Sequence, residues 1–247
     1  MKKNFPSPEL PFAYRDLPLS GNVINGLGES KKRAATQIFH GSGARELEWS
    51  KLELFFGLIN PFKVSLLNLI NRWMLRNADG PISKNKRAIH SLTAITEEVK
   101  AIAMNSGAGS VGVSPMIKEA LYKEGVINYK NAIVILYPMD GEEMAHVTTD
   151  RAGTETMRAY MEISKTAIEL SKRIRAMGFR ARAYCEGADL LHIPLAINAG
   201  LGQLGKHGSL ICREFGSSMR IATVLTDLPL HHDSPIDIAV DDLCIGC

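Results

Sequence analysis

The sequence predicts a mixed α/β (α+β) core of roughly 130 residues behind a helical N-terminal region. Over residues 47–75 and 83–104, apolar residues recur every three or four positions, which is typical of amphipathic helices. After Asn105, short apolar runs of strand length alternate with helical segments. We therefore expect an arm and helical region over residues 1–104, a core over residues 105–240, and a distinct tail over residues 241–247.

The N-terminal region is expected to be an extended arm followed by helices. Residues 1–45 contain Pro and Gly without a lasting period, whereas Pro61 should divide two helices over residues 47–75 and a third should span residues 83–104. The most apolar stretch, residues 55–70, is interrupted by polar residues and is shorter than the roughly 20 apolar residues of a membrane span. A core or surface-docking helix is the better interpretation.

The core is expected to contain short strands and one long helix. The expected elements are, in order, strand 109–115, helix 115–124, strand 131–140, helix 154–177, strand 179–185, helix 189–199, a glycine-rich turn, and the strands GSLIC and MRIATVL. The long helix is amphipathic and should end at Gly178, after cations that suit the C-terminal end of a helix dipole.

Composition and charge indicate a globular protein and identify no partner. The 247 residues are 45% hydrophobic and 22% charged, and the net charge of +3 is too small to indicate nucleic acid. The N-terminus lacks the apolar run of a secretory signal and a twin-arginine pair, so we expect no membrane span and a cytoplasmic location. Cys185 and Cys212 lie in apolar runs and are expected to be buried, inert thiols.

The segment AGLGQLGKHG places four glycines within nine residues, at positions 200, 202, 205 and 208. Its spacing begins like a dinucleotide fingerprint, but it follows a helix and precedes a strand, which is the wrong order for a Rossmann fold. Two explanations remain open: the backbone approaches a flat or bulky ligand closely, or it makes a tight turn at a packing crossover.

Cys244 and Cys247 form a C-x-x-C pair at the end of the chain. Two cysteines at this spacing supply half of a zinc site, half of an iron–sulfur site, or a redox pair. A redox pair normally opens a helix after a strand, and a four-iron cluster needs four thiolates, of which this run supplies two. A zinc ion shared by two subunits is a further possibility.

Candidate acids are Tyr160 on the long helix, Glu186 at a strand end and His207 in the glycine-rich turn. The ordinary roles of such residues are packing for the tyrosine and solvation for the other two. Arg220 opens an apolar strand, where a cation requires a partner.

A family resemblance is carried by a series of blocks in order along the chain: NAIVILYPMD, RAYMEIS, IRAMGFRARAY, IPLAINAGLGQLGKHGSLI, REFGSSMRIATVLTDLPL and CIGC. Together they resemble the corrinoid-dependent reductive dehalogenases over about residues 110–247 and, more distantly, the epoxyqueuosine reductases. The resemblance implies a nitroreductase-like core that holds base-off cobalamin, followed by a ferredoxin-like segment with 4Fe-4S clusters. It also implies a small organic, often halogenated, substrate and an electron donor such as a ferredoxin or flavoprotein.

Site residues follow from the resemblance position by position. Tyr160 falls on the family's proton donor, and Arg220 falls on a basic residue whose charge would favour loss of the phenolic proton. The residues expected to line the corrinoid are Gly200, Leu201, Gly202, Gly205, His207 and Gly208. Cys244 and Cys247 would be the first ligands of a cluster-binding run that breaks off at the last residue, so the chain alone is expected to be truncated and inactive.

Departures from the family pattern leave alternatives open. The stretch Cys185–Asp189 lacks an Asn found in many dehalogenases, and Glu186 falls where an Asp acts as the acid in epoxyqueuosine reductases. Against that branch, this chain has QLGKHG in place of W-I-G-K-N. The dehalogenase-like branch is favoured, although the natural substrate need not be halogenated. The alternatives are a tRNA-modifying reductase and a corrinoid-binding fragment without catalysis.

Overall fold

The structure, a computed structural model, describes residues 60–122, 127–147, 149–185 and 189–243. The α-helices among them are α1 (Phe62–Met74), α2 (Leu92–Asn105), α3 (Gly141–Met144), α4 (Asp150–Ala176), α5 (His192–Asn198) and α6 (Val240–Leu243). The strands are β1 (Ser110–Pro115), β2 (Asn131–Pro138), β3 (Ala181–Tyr184), β4 (Gln203–Leu204), β5 (Leu210–Ile211) and β6 (Met219–Thr226). All described residues lie within one compact unit. The boundary expected after residue 104 stays a prediction.

An antiparallel sheet in the order β1-β2-β6-β3 forms the centre of the described residues. Its inner strands are β2 and β6, and residues 132–136 of β2 are fully buried, as expected for a continuous apolar run covered on both faces. The mixed helix and sheet architecture expected from the sequence is confirmed, and the antiparallel strands make it α+β. The register sets Tyr137 opposite Arg220 at one end of this strand pair.

Helices cover both faces of the sheet. The hydrophobic cluster under α2 and α4 includes Ile133, Ile135, Ala222 and Val224. The cluster on the opposite face, under α5 and the β4-β5 hairpin, includes Val134, Leu136, Leu210 and Leu225. We call these the α4 face and the α5 face. Because side chains alternate along a strand, Tyr137 and Arg220 lie on the α4 face, as Ile135 and Ala222 do two positions away.

The helix expected to begin at Ser83 begins instead at Leu92. The preceding segment is irregular and completes the C-terminus of α4: the Ser83 N–H donates to the Arg175 carbonyl (3.0 Å) and the Arg87 N–H to the Met177 carbonyl (2.9 Å). The last carbonyls of a helix lack intrahelical donors, so a neighbouring chain that supplies N–H groups satisfies them. This tertiary pairing overrides the local helical pattern.

The prediction of a helix over residues 115–124 is wrong for residues 115–122, the part that the structure describes. The described part contains a 3₁₀ turn at Lys118–Ala120, after which Leu121 forms a β-bridge with Leu190. The Leu191 N–H donates to the Ala120 carbonyl at 2.7 Å. Backbone pairing with the segment before α5 therefore competes successfully with helix formation.

Candidate functional site

Tyr160 and Arg220, which sequence reasoning linked only through a family resemblance, are in contact. Tyr160 lies on α4 and is half-buried, while Arg220 is the second residue of β6 on the α4 face. One Arg220 guanidinium nitrogen (Nη1) donates to the Tyr160 hydroxyl at 3.2 Å, and the guanidinium carbon lies 4.5 Å from the centre of the ring. A cation in this position favours negative charge on the phenol oxygen.

Arg220 donates to two hydroxyl groups, and no carboxylate among the described residues forms an ion pair with it. Its Nη2 donates to the Thr156 hydroxyl at 3.3 Å, and its buried Nε has no hydrogen-bond partner there. Thr156 and Tyr160 lie one helical turn apart on α4, so one helix face holds the guanidinium from two sides. A half-buried cation that no described carboxylate neutralises exerts its field on nearby polar groups.

A second tyrosine–arginine pair lies beside the first. Arg158 on α4 donates to the Tyr137 hydroxyl at 3.0 Å, and its guanidinium carbon is 5.6 Å from the Tyr137 ring centre. The pairs are crossed: in one the helix gives the tyrosine and the strand gives the arginine, and in the other the roles are reversed. Sequence reasoning missed this pair, although Tyr137 and Arg158 belong to the quoted YPMD and RAYMEIS blocks.

Glu155 neutralises Arg158. Its carboxylate is 4% exposed and accepts two hydrogen bonds from the Arg158 guanidinium, both at 2.6 Å, together with the Asp140 backbone N–H at 2.7 Å. The Arg158 hydrogen bonds hold the pKa of Glu155 below its usual range despite burial. Glu155 is therefore ionised near neutral pH and ties the turn after β2 to α4. Sequence reasoning missed this residue too.

The glycine-rich turn packs on the α5 face, opposite the tyrosine–arginine pairs. A Cβ atom on Gly200, whose φ is +69°, would lie 2.5 Å from the Ser234 carbonyl oxygen, and one on Gly202 would overlap the Ile211 carbonyl. Leu201 is 7% exposed and belongs to the cluster of that face. The packing of the chain itself thus requires glycine at these two positions.

The tip of the β4-β5 hairpin is the exposed part of the glycine-rich turn. Leu204 is 52% exposed, and Lys206, His207 and Gly208 are also exposed. The Gly205 N–H donates to the Ser209 carbonyl at 2.8 Å, which closes the tip. The tip therefore exposes both apolar and polar groups.

The loop after β5 connects the hairpin to the end of the sheet that carries Tyr137. A Cβ atom on Gly109 would lie 3.0 Å from the Phe215 ring and 2.7 Å from Pro138, the residue after Tyr137. The Met139 N–H donates to the Ser218 carbonyl at 3.0 Å. The two faces therefore approach each other around this end of β2.

His192, at the start of α5, is a half-buried polar residue that sequence reasoning missed. One ring nitrogen (Nε2) lies 3.3 Å from the Cys185 carbonyl, which can only accept, and the other (Nδ1) lies 2.8 Å from the Thr223 hydroxyl. The imidazole thus donates from Nε2 and accepts at Nδ1. Burial lowers the pKa of His192 from 6.5 to about 4, so the ring is neutral at physiological pH.

Several residues expected at the site lie outside the described residues, namely Glu186, Cys244 and Cys247. Within residues 60–122, 127–147, 149–185 and 189–243, no group of three or more His, Cys, Asp or Glu could hold a metal ion. Cys185 and Cys212 are 3% and 2% exposed, so their expected burial is confirmed.

Comparison with known proteins identifies the relatives of this chain. No protein-family model matches it. It is 34% identical to the tetrachloroethene reductive dehalogenase of Sulfurospirillum multivorans over 118 residues, which is 48% of this chain and 23% of that protein. The corresponding enzyme of Dehalobacter restrictus is 32% identical over 118 residues and is covered to 21%. This chain is a homologue of the reductive dehalogenases.

The homology extends to the epoxyqueuosine reductases and to solved structures. The epoxyqueuosine reductase of Lactococcus garvieae is 30% identical over 123 residues, which is 47% of this chain and 35% of that protein. The catabolic reductive dehalogenase NpRdhA in complex with 3-bromo-4-hydroxybenzoic acid matches 81% of this chain with a TM-score of 0.73 and 23% identity. This likeness establishes the fold. The chain spans 31% of that structure and less than a quarter of the dehalogenases named above.

Proposed function

We propose that this chain carries the proton-donating part of a cobalamin- and 4Fe-4S-dependent reductase of the reductive dehalogenase type. The substrate would be a small, halogenated or related organic molecule. The single observation that carries the proposal is the contact between Tyr160 and Arg220, because it supplies an acid and a charge that favours its ionisation. Homology to reductases supports the class of chemistry.

The proton step is assigned to Tyr160. Replacement of halide by hydrogen consumes two electrons and one proton and releases the halide ion. The phenolic O–H of Tyr160 would give its proton to the substrate carbon, and Arg220 would stabilise the phenolate that remains. Thr156 would keep Arg220 in place through its hydroxyl.

The β4-β5 hairpin is the proposed corrinoid-facing segment. Its exposed tip would fit a large planar group, because Leu204 offers an apolar surface and a Cβ atom on Gly208 would meet nothing within 4 Å. Gly200, Leu201, Gly202 and Gly205 would shape the turn behind this surface. A bound, reduced corrinoid would supply the electrons for cleavage of the carbon–halogen bond.

Electrons would reach the corrinoid through iron–sulfur clusters. We propose Cys244 and Cys247 as the first ligands of such a cluster, since a C-x2-C run is the start of a ferredoxin-like ligand set. A ferredoxin or flavoprotein in the cytoplasm would be the electron donor. Nucleic acid is not expected as a partner of this branch.

Substitution of Tyr160 tests the proposal. In the cobalamin-loaded protein with a chemical reductant, Tyr160→Phe should lower halide release from halogenated phenols by roughly a hundredfold or more, because general acid catalysis contributes about that much. Tyr129→Phe is the matched control, since Tyr129 also stacks on an arginine, with the Arg180 guanidinium 4.6 Å from its ring. Unchanged cobalamin absorbance would show that the cofactor stays bound, and full activity of Tyr160→Phe would refute the assignment.

Epoxyqueuosine reduction is the second candidate, favoured by the homology to the Lactococcus garvieae enzyme. In that case Glu186 would be the acid. Activity on epoxyqueuosine-containing tRNA that is lost in Glu186→Gln and kept in Tyr160→Phe would select it. Cobalt binding without turnover of either substrate would indicate a corrinoid-binding fragment, and zinc in place of cobalt and iron would contradict all three assignments.

A further inference from the structure

Helix α1 exposes a stripe of large apolar side chains. Phe62 is 83% exposed, Leu66 44%, Leu69 65%, Ile70 37% and Trp73 63%. Their separations of three, four, seven, eight and eleven positions place them within an arc of about 100° on one helix face. We call this the α1 stripe.

The stripe points away from the body of the protein. Val64 and Asn71 are the buried residues of α1, at 5% and 1% exposure, and Val64 packs close to Gly153 on α4. At 100° per residue, Val64 and Asn71 lie about 150–170° from the centre of the stripe. The helix therefore already packs on the protein through its other face. The exposed side chains of the stripe are not part of the hydrophobic core.

The borders of the stripe are cationic. In a view down the helix axis, Lys63 lies next to Ile70 at one border of the stripe, and Arg72 lies next to Leu69 at the other. Arg76 lies just past the helix end. All three cations are exposed, and residues 60–78 contain no Asp or Glu. A carboxylate outside this segment, Glu143, acts electrostatically on Lys63 but is held by two hydrogen bonds from Arg151. The surface around the stripe is thus apolar in the middle and positive at the edges.

We propose that α1 docks in the plane of an anionic lipid bilayer, with the α1 stripe in the acyl boundary and the cations against the lipid phosphates. Helices with Trp, Phe and Leu on one side and basic residues beside them bind membrane surfaces in this way. No helix of the described residues is long and apolar enough to cross a membrane, and the 13 residues of α1 cover only about 20 Å. The helix therefore lies on the surface.

Charge favours lipid over a second copy of the chain. Two α1 stripes packed against each other would bring Lys63 and Arg72 of both copies together, and α1 offers no carboxylate to separate them. Like charges at such a border oppose association. Anionic head groups supply the missing negative charge.

Vesicle co-sedimentation of the full chain tests the docking. The protein should bind vesicles of phosphatidylglycerol and phosphatidylcholine, and should bind pure phosphatidylcholine much more weakly. Leu66→Gln/Trp73→Gln should lower partitioning at least about tenfold, because two large apolar groups leave the acyl boundary. Arg72→Gln should lower it about fivefold, and only for the anionic vesicles.

Matched controls keep the test specific. Leu92→Gln changes a leucine that is 48% exposed on α2, and Lys172→Gln removes an exposed cation on α4. Both should partition like the unaltered chain. Equal binding by the double variant and the unaltered chain, or absence of binding to anionic vesicles, would overturn the proposal. A dimer in solution that dissociates in Leu66→Gln/Trp73→Gln would overturn it in favour of self-association.

Discussion

Replacing His192 should remove a pH-dependent part of the stability. The folded protein keeps this ring neutral because burial lowers its pKa from 6.5 to about 4, whereas an unfolded chain would protonate it near 6.5. Between these values the unfolded state binds more protons than the native state, so the free energy of unfolding falls as the pH falls. The contribution is fully present above about pH 6.5 and is lost progressively towards pH 4.

The size of this effect follows from the two pKa values. A difference of about 2.5 units corresponds to about 3 kcal/mol below pH 4, of which about 2 kcal/mol is already lost at pH 5. Urea denaturation at pH 7.5 and pH 5.0 measures it. His192→Asn cannot titrate, so its loss of stability between these pH values should be smaller than that of the unaltered chain by about 2 kcal/mol.

The comparison of pH dependences removes the effects of other groups. His192→Asn changes packing at both pH values equally, and the carboxylates titrate alike in both proteins. His90→Asn, which alters an exposed histidine, should follow the unaltered chain. An equal loss of stability in His192→Asn and in the unaltered chain would refute an imidazole that desolvation keeps neutral in the folded protein.

Two further substitutions test the packing around the site. Glu155→Gln should lower the free energy of unfolding by about 1–2 kcal/mol, because Arg158 loses the buried carboxylate that is its ionic partner. The control, Glu169→Gln, removes a carboxylate from the exposed pair with Arg173 and should change the free energy of unfolding by less than about 0.5 kcal/mol. Equal effects of the two variants in urea denaturation would contradict this. Gly202→Ala should cost roughly 2 kcal/mol in the same assay because its Cβ would overlap the Ile211 carbonyl, while Gly141→Ala, whose Cβ meets nothing within 4 Å, should be nearly neutral. A neutral Gly202→Ala would show that the turn relaxes easily.

The central elements could be predicted because their patterns are long and regular. The run NAIVILYP is apolar over residues 132–136, and it becomes an inner strand with both faces covered. Helix α4 runs over 27 residues, and its amphipathic pattern exceeds any competing local signal. Its end before Gly178, where φ is +86°, follows from the ease with which glycine adopts that conformation.

Other features depend on partners that are distant in the sequence. Ser91 caps the N-terminus of α2 and is a local signal for a start at Leu92, whereas the path of residues 83–87 depends on the end of α4, whose carbonyls accept from the Ser83 and Arg87 N–H groups. Tyr137 and Arg220 are 83 positions apart and become neighbours only through the β2-β6 register. The resemblance to a family could supply the Tyr160–Arg220 pair, but Glu155 and Arg158 required the packing of α4 against the turn after β2.

The two arginines beside the tyrosines differ in their counter-charge, and this difference separates their roles. Arg158 is neutralised by a buried carboxylate, so its pair with Tyr137 mainly fixes the position of α4 against the end of β2. Arg220 contacts two hydroxyls and a ring, and no carboxylate of the described residues screens it from Tyr160. A carboxylate beside Arg220 would cancel much of the field that favours a phenolate. The location of Glu155 therefore matters for the proposed chemistry as well as its charge. Glu155 pairs with Arg158, not with Arg220, which is the arginine beside the proposed proton donor.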